Sequence, residues 1–157
     1  MFNGALTDIL LIALAAILVF AAVVDVRTFT ISNRLNLTVA LLAPAYWASV
    51  ALSPWPDMAA QVAGATIVFV LLAGAFYAGM MGGGDVKLAA ALALWFSPVS
   101  TIRFLVLTSI AGGVLTLVVL ALHRARKRSG RPEIPYGVAI AFGGLAILAQ
   151  RFLNQIV

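Results

Sequence analysis

The chain has 157 residues, 64% of them hydrophobic and only 10% charged, with a formal net charge of +5. Its mean hydropathy of +1.12 excludes a soluble domain, a class in which about a quarter of the residues are charged. Cysteine is absent and His123 is the single histidine, so disulfides, thiolate or histidine metal sites and a cysteine nucleophile are excluded as well.

What remains is an all-α polytopic membrane protein, a six-transmembrane-helix bundle forming one domain over residues 1–157. Apolar runs bounded by breakers mark the spans. The first, Ala5–Val24, lacks a basic n-region and a clear small-residue cleavage site, so a retained helix is expected rather than a signal peptide. The second, Leu37–Leu52, stops at Ser53-Pro54-Trp55-Pro56-Asp57. The third, Met58–Met80, runs into Gly82-Gly83-Gly84. Asp85–Phe96 follows and ends at Ser97-Pro98. Ile102–Leu122 precedes the basic stretch "HRARKRSGRPE", and Ile134–Ala149 closes the series. Trp47, Trp55 and Trp95 fall near one set of helix ends, where interfacial aromatics are expected. No internal repeat or low-complexity segment is visible.

Lysine and arginine set the orientation. Arg27, Arg34, Lys87, Arg124, Arg126, Lys127, Arg128 and Arg131 fall on one side, eight residues against Arg103 and Arg151 on the other. The positive-inside rule then puts both termini outside and the odd-numbered loops in the cytoplasm. The basic loop reads as an anchor against anionic lipid, and no nucleic-acid partner is needed to explain the net charge.

Five acidic residues are present. Asp8, Asp57 and Glu133 lie where they can reach headgroups or water. Asp25 closes the first helix and Asp85 opens the fourth, so both face the same side. The eleven helical steps from Asp85 to Phe96 cover roughly 16 Å, against about 30 Å of hydrocarbon. With Trp95 and Phe96 at the outer interface, Asp85 lies within membrane depth, where an ionisable group marks a functional site by default.

The adjoining glycines fit that reading. Gly82, Gly83 and Gly84 are expected to break the helix, adopt positive φ and admit another backbone. They also leave free N–H groups beside Asp85. A nucleotide loop is excluded, because a P-loop lysine would follow the last glycine directly and Asp85 and Val86 intervene before Lys87. A dinucleotide fingerprint would need a glycine where Lys87 stands. Two carboxylates a few ångström apart resist double ionisation and share a proton. Such a pair can activate a water while its protonated member polarises a carbonyl. That is peptide hydrolysis with neither metal nor cofactor. Asp25 and Asp85 stand 60 residues apart, so only helix packing can bring them together. Arg27 and Lys87, each two residues beyond an aspartate, either tune the pair or anchor the helix ends.

Three stretches together resemble one family. "GGGDVK" resembles the Gly-x-Gly-Asp motif of the GxGD intramembrane aspartyl proteases, specifically the type IV prepilin peptidases. "DVRTFTISNRLN" resembles their Asp-x-Arg-x-x-x-Ile-Pro-Asn segment, and "IPYGVAIAFGGL" resembles the Pro-Tyr-Gly opening of their last helix. The resemblance implies that Asp25 and Asp85 are the catalytic pair. It places Gly82, Gly83, Gly84, Lys87, Arg27, Asn33, Pro135, Tyr136 and Gly137 around them, with Pro135 at a helix start where its carbonyl could stay exposed.

It further implies a protease of the bacterial inner membrane acting at the cytoplasmic face. Its partners would be membrane lipid and a prepilin or pilin-like substrate, whose short basic leader it removes before pilus or secretion-system assembly. Ser32 stands where the family usually has proline, a departure expected to loosen that turn. The Cys-rich domain of long bacterial members has no counterpart here, so the chain resembles the short forms serving Flp (tight-adherence) pili, with archaeal preflagellin peptidases a nearby alternative that the Asp-x-Arg…Asn stretch disfavours; whether it also N-methylates stays open. Read on residues alone, a proton- or cation-coupled transporter and a non-catalytic membrane subunit stay open, as do the oligomeric state and the identity of the substrate.

Overall fold

The computed structural model describes residues 2–127, 130 and 132–156. Within them lie six α-helices and no strand: α1 (Phe2–Thr28), α2 (Asn33–Ser49), α3 (Ala59–Tyr77), α4 (Gly83–Ala93), α5 (Pro98–Ala125) and α6 (Tyr136–Ile156). Four segments are long and apolar enough to cross a membrane, Gly4–Thr28, Pro54–Tyr77, Pro98–Ala125 and Tyr136–Leu153. α2 and α4, with 17 and 11 residues, are shorter. Two arginines of the basic stretch, Arg128 and Arg131, lie outside the described residues.

Helix ends follow local chemistry. α1 runs four residues beyond Val24, so Asp25 sits inside its last turn. The Thr28 hydroxyl donates to the Val24 carbonyl at 2.9 Å, and Phe29, at φ 52, closes the helix in the left-handed region. Ser32 then caps α2, its hydroxyl accepting from the Leu35 N–H at 3.3 Å. Its φ of −70 is one proline would share. Serine therefore keeps the geometry of the turn and adds a cap, rather than loosening it.

The glycine-rich stretch divides differently from expectation. α3 ends in a Schellman motif. Gly79 takes φ 69, its N–H donates to the Phe76 carbonyl at 2.9 Å, and the Met80 N–H reaches back to Ala75 at 2.9 Å. Positive φ is thus used at Gly79 and not at the triplet. Gly82 is the extended N-cap of α4, at φ −74 and ψ 147, and Gly83 and Gly84 are already helical.

The core is a leucine-rich seam. Leu14 and Leu18 of α1, Val39 of α2, Leu88 and Leu92 of α4, Phe104 of α5 and Ile140 of α6 are all buried. Outward-facing Ile67, Leu71, Ile110 and Leu117 form an apolar exterior on α3 and α5, which suits lipid as the surrounding solvent.

Two tryptophans depart from the interfacial belt. Trp95 and neighbouring Phe96 are buried. The Trp95 indole N–H donates to the Val39 carbonyl at 3.0 Å, and that of Trp47 donates to Leu94 at 2.8 Å. A buried indole needs such a partner, and these two pin the far end of α4 to α2. Trp55 alone of the three is exposed.

α6 packs on α5 through glycine. A Cβ at Gly143 would come 2.3 Å from Thr108 Oγ1 and 3.2 Å from the Phe104 carbonyl. Gly143→Ala is expected to lower stability by about 1–3 kcal/mol. Adding Thr108→Ala should restore part of that loss, read as a non-additive shift in thermal unfolding in detergent.

Candidate active site

One end of the bundle gathers the C-terminus of α1, the N-termini of α2, α4 and α6, and the linker 29–32. Asp25 is 2% exposed and Asp85 is 8% exposed. Each carboxylate lies against backbone N–H groups at a helix start, where the dipole favours negative charge. Asp25 Oδ2 accepts from the Val138 N–H at 3.2 Å, and the Gly137 N–H also faces it. Asp85 Oδ2 accepts from the Gly82 N–H at 3.2 Å, closing the N-terminus of its own helix. The two carboxylates lie within electrostatic reach of each other.

The backbones of α1 and α4 scarcely approach each other, whereas those of α2 and α6 approach both. What joins the two acids is Ile31, a residue that sequence reasoning did not single out. A Cβ at Gly84 would lie 2.6 Å from the Ile31 carbonyl oxygen. A Cβ at Gly137 would lie 2.5 Å from Ile31 Cδ1 and 2.8 Å from both Cγ and Oδ2 of Asp25. Ile31 is therefore wedged between α4 and α6, with one glycine yielding on each side. The backbone that Gly84 admits is the chain's own.

The three consecutive glycines have three different reasons. At Gly82 a Cβ would sit 2.9 Å from Asp85 Oδ2, so glycine lets the carboxylate fold over the N-cap. Gly84 accommodates Ile31. Gly83 meets only the ring of Phe76, at 3.3 Å, and that ring is 46% exposed.

The other expected site residues divide. Gly137 is buried beside Asp25, and Pro135 is buried as well. Pro135 precedes α6, and its carbonyl accepts from the Val138 N–H at 3.2 Å rather than staying exposed. The Tyr136 ring turns the other way, onto α5 at Gly112. Arg27 is exposed. Lys87 is also exposed, and its ammonium donates to Asn33 Oδ1 at 2.8 Å. Residues two apart on a helix do not share a face, which is why Lys87 meets α2 instead of the carboxylate.

Asn36 is a second residue that the sequence did not flag. It is buried, its Nδ2 donates to the Gly84 carbonyl at 2.9 Å, and with the Asn33–Lys87 bond it stitches α2 to α4. The one available signal was an asparagine at helical spacing from Asn33, among apolar residues. Asn36→Leu is expected to cost about 1–2 kcal/mol, measured as a lower unfolding temperature.

Chemically, Asp25 and Asp85 set two buried carboxyls against oriented backbone amides, while His123 and Glu133 line a separate cavity at the same end with Val26, Phe29 and Pro135. The family model of type IV leader peptidases matches residues 12–117. That range contains both aspartates and all three glycines and ends before Pro135. No curated protein and no solved structure matches the chain.

Proposed function

The chain belongs to the type IV leader peptidase family, and we propose that it is an aspartic endopeptidase in which Asp25 and Asp85 share the chemistry. One observation carries this reading: two buried carboxylates, each backed by helix-start amides, on either side of Ile31 at one end of the bundle. Family membership favours peptidase over transporter.

The step follows from the chemistry of a carboxyl pair. The ionised member removes a proton from a water as its oxygen attacks the scissile carbonyl carbon. The protonated member donates a hydrogen bond to the carbonyl oxygen, which gains negative charge as the tetrahedral centre forms. Collapse of that centre breaks the C–N bond, and the proton taken from water passes to the leaving amine. The pair titrates as a unit, so neither role belongs permanently to one residue.

The substrate in this reading is a prepilin or pilin-like protein with a short basic leader, and pilus biogenesis of the Flp kind is the setting. The eight basic residues on the side of the aspartates support an active site toward the cytoplasm of a bacterial inner membrane, with both termini outside. Arg27 and Lys87 anchor helix ends at the membrane surface.

The test is co-expression of the chain with a tagged Flp-type prepilin, followed by gel shift and N-terminal sequencing of the product. Leader removal at one junction, dependent on the chain, is the expected result. An unprocessed prepilin in the presence of folded, membrane-inserted protein would overturn the assignment.

A further inference from the structure

The opposite end of the bundle holds a cavity of about 520 Å³, to which all six helices or their ends contribute. Arg103 of α5 and Arg151 of α6 line it, and no acidic residue is among its lining. Arg151 is held in place by Tyr46. Its guanidinium lies 5.1 Å from the centre of the Tyr46 ring and donates to the Tyr46 hydroxyl. Tyr46 in turn stacks on buried Trp95 with ring centroids 5.0 Å apart. The cavity therefore presents a braced cation and a second cation on an exposed residue.

Gln61 of α3 supplies an independent pointer to a ligand. It lines the same cavity and is only 6% exposed. Its Oε1 has no hydrogen-bond partner. Buried acceptors are almost always satisfied, so a turn of this amide toward the cavity would bring its oxygen to a donor from outside the chain. Charge topology adds a third consideration. Arg103 and Arg151 are the two basic residues on the side that the positive-inside rule leaves poor in charge, and both meet at one cavity.

We propose that this cavity binds the headgroup of a phospholipid, with the phosphodiester held by Arg103 and Arg151 and a headgroup hydroxyl or ammonium donating to Gln61 Oε1. Guanidinium groups suit phosphate oxygens through charge-assisted hydrogen bonds. The cavity's place at the helix ends sets it at headgroup level, and apolar Leu11 and Ile147 in its lining suit the start of an acyl chain. It lies at the other end of α4 from Asp85, so the proposal does not depend on the peptidase reading.

The experiment uses the purified full chain in a neutral detergent. Dioleoylphosphatidylglycerol is titrated while thermal unfolding and bound lipid, by native mass spectrometry, are followed. Inorganic phosphate and dioleoylglycerol are run as separate arms. The phospholipid is expected to raise the unfolding temperature saturably, and neither control is expected to do so at equal concentration.

Arg103→Gln and Gln61→Leu should each weaken binding by about tenfold, whereas Asp25→Asn should bind as the unaltered chain does. Arg103 is exposed, so its variant should fold, and its lipid-free unfolding temperature checks that. Lipid affinity in Arg103→Gln and Gln61→Leu equal to that of the unaltered chain overturns the proposal. So does equal stabilisation by inorganic phosphate, which would make this a free-anion site, or by dioleoylglycerol, which would make it an acyl site.

Discussion

Replacing either acid by its amide should stop catalysis while leaving the fold in place. Asp25→Asn and Asp85→Asn are each expected to slow leader removal by about a thousandfold or more, within or above the range typical of losing a positioned acid–base group. The amide is nearly isosteric, and its oxygen can still accept from Val138 or Gly82, the N–H groups now serving Asp25 and Asp85. Neither variant should therefore unfold at a lower temperature, and relief of buried charge can make it unfold higher. The double variant should be no slower than the slower single one, because groups acting as a unit lose their effect together. Time courses of prepilin cleavage in detergent, with unfolding curves on the same samples, check all three statements. Wild-type rates in both single variants would remove the aspartic mechanism.

Adjacent glycines should respond in opposite senses to one added methyl group. At Gly84 the obstacle is the main-chain carbonyl of Ile31, 2.6 Å from the would-be Cβ. No rotamer change can relieve that contact, so α4 or the linker must move. Gly84→Ala is expected to cost about 1–3 kcal/mol. It should also lower cleavage by about a hundredfold, since a shift of α4 carries Asp85 with it and misplacement of about 1 Å has costs of that order. At Gly83 the obstacle is the edge of a half-exposed phenylalanine ring, at 3.3 Å, which can swing aside. Gly83→Ala should be neutral or stabilising by up to about 1 kcal/mol, since alanine loses less entropy on entering a helix. Paired unfolding and cleavage measurements on the two variants decide the matter. Equal effects at both positions would contradict the Ile31 wedge.

The sequence was most legible where the rules are local. Six apolar runs with their breakers gave six helices in order, and the shortness of α4 was plain from the distance between Asp85 and Ser97-Pro98. Boundaries slipped where side chains extended a helix, as Thr28 does for α1 and Ser32 for α2. The glycine stretch was misread because composition alone cannot separate a left-handed glycine from one that makes room. Gly79, followed by apolar Met80, is an ordinary helix stop that the louder triplet masked.

Long-range partners were out of reach. Nothing near Ile31 says that it will sit between positions 84 and 137, or near Trp95 that its indole will find Val39. Those facts belong to packing. The aspartate pair itself was visible only because two marked motifs carried it.

Because the backbones of α1 and α4 scarcely approach each other, the gap between the two acids behaves like the opening of a caliper whose jaws are set by a shim. The shim is a few residues of linker together with the first turn of α6. The leucine seam holds α1 and α4 in one core deeper in the bundle, so a change in the shim alters the spacing of the acids without unmaking that core. Durability and adaptability are thus assigned to separate parts of a very small machine.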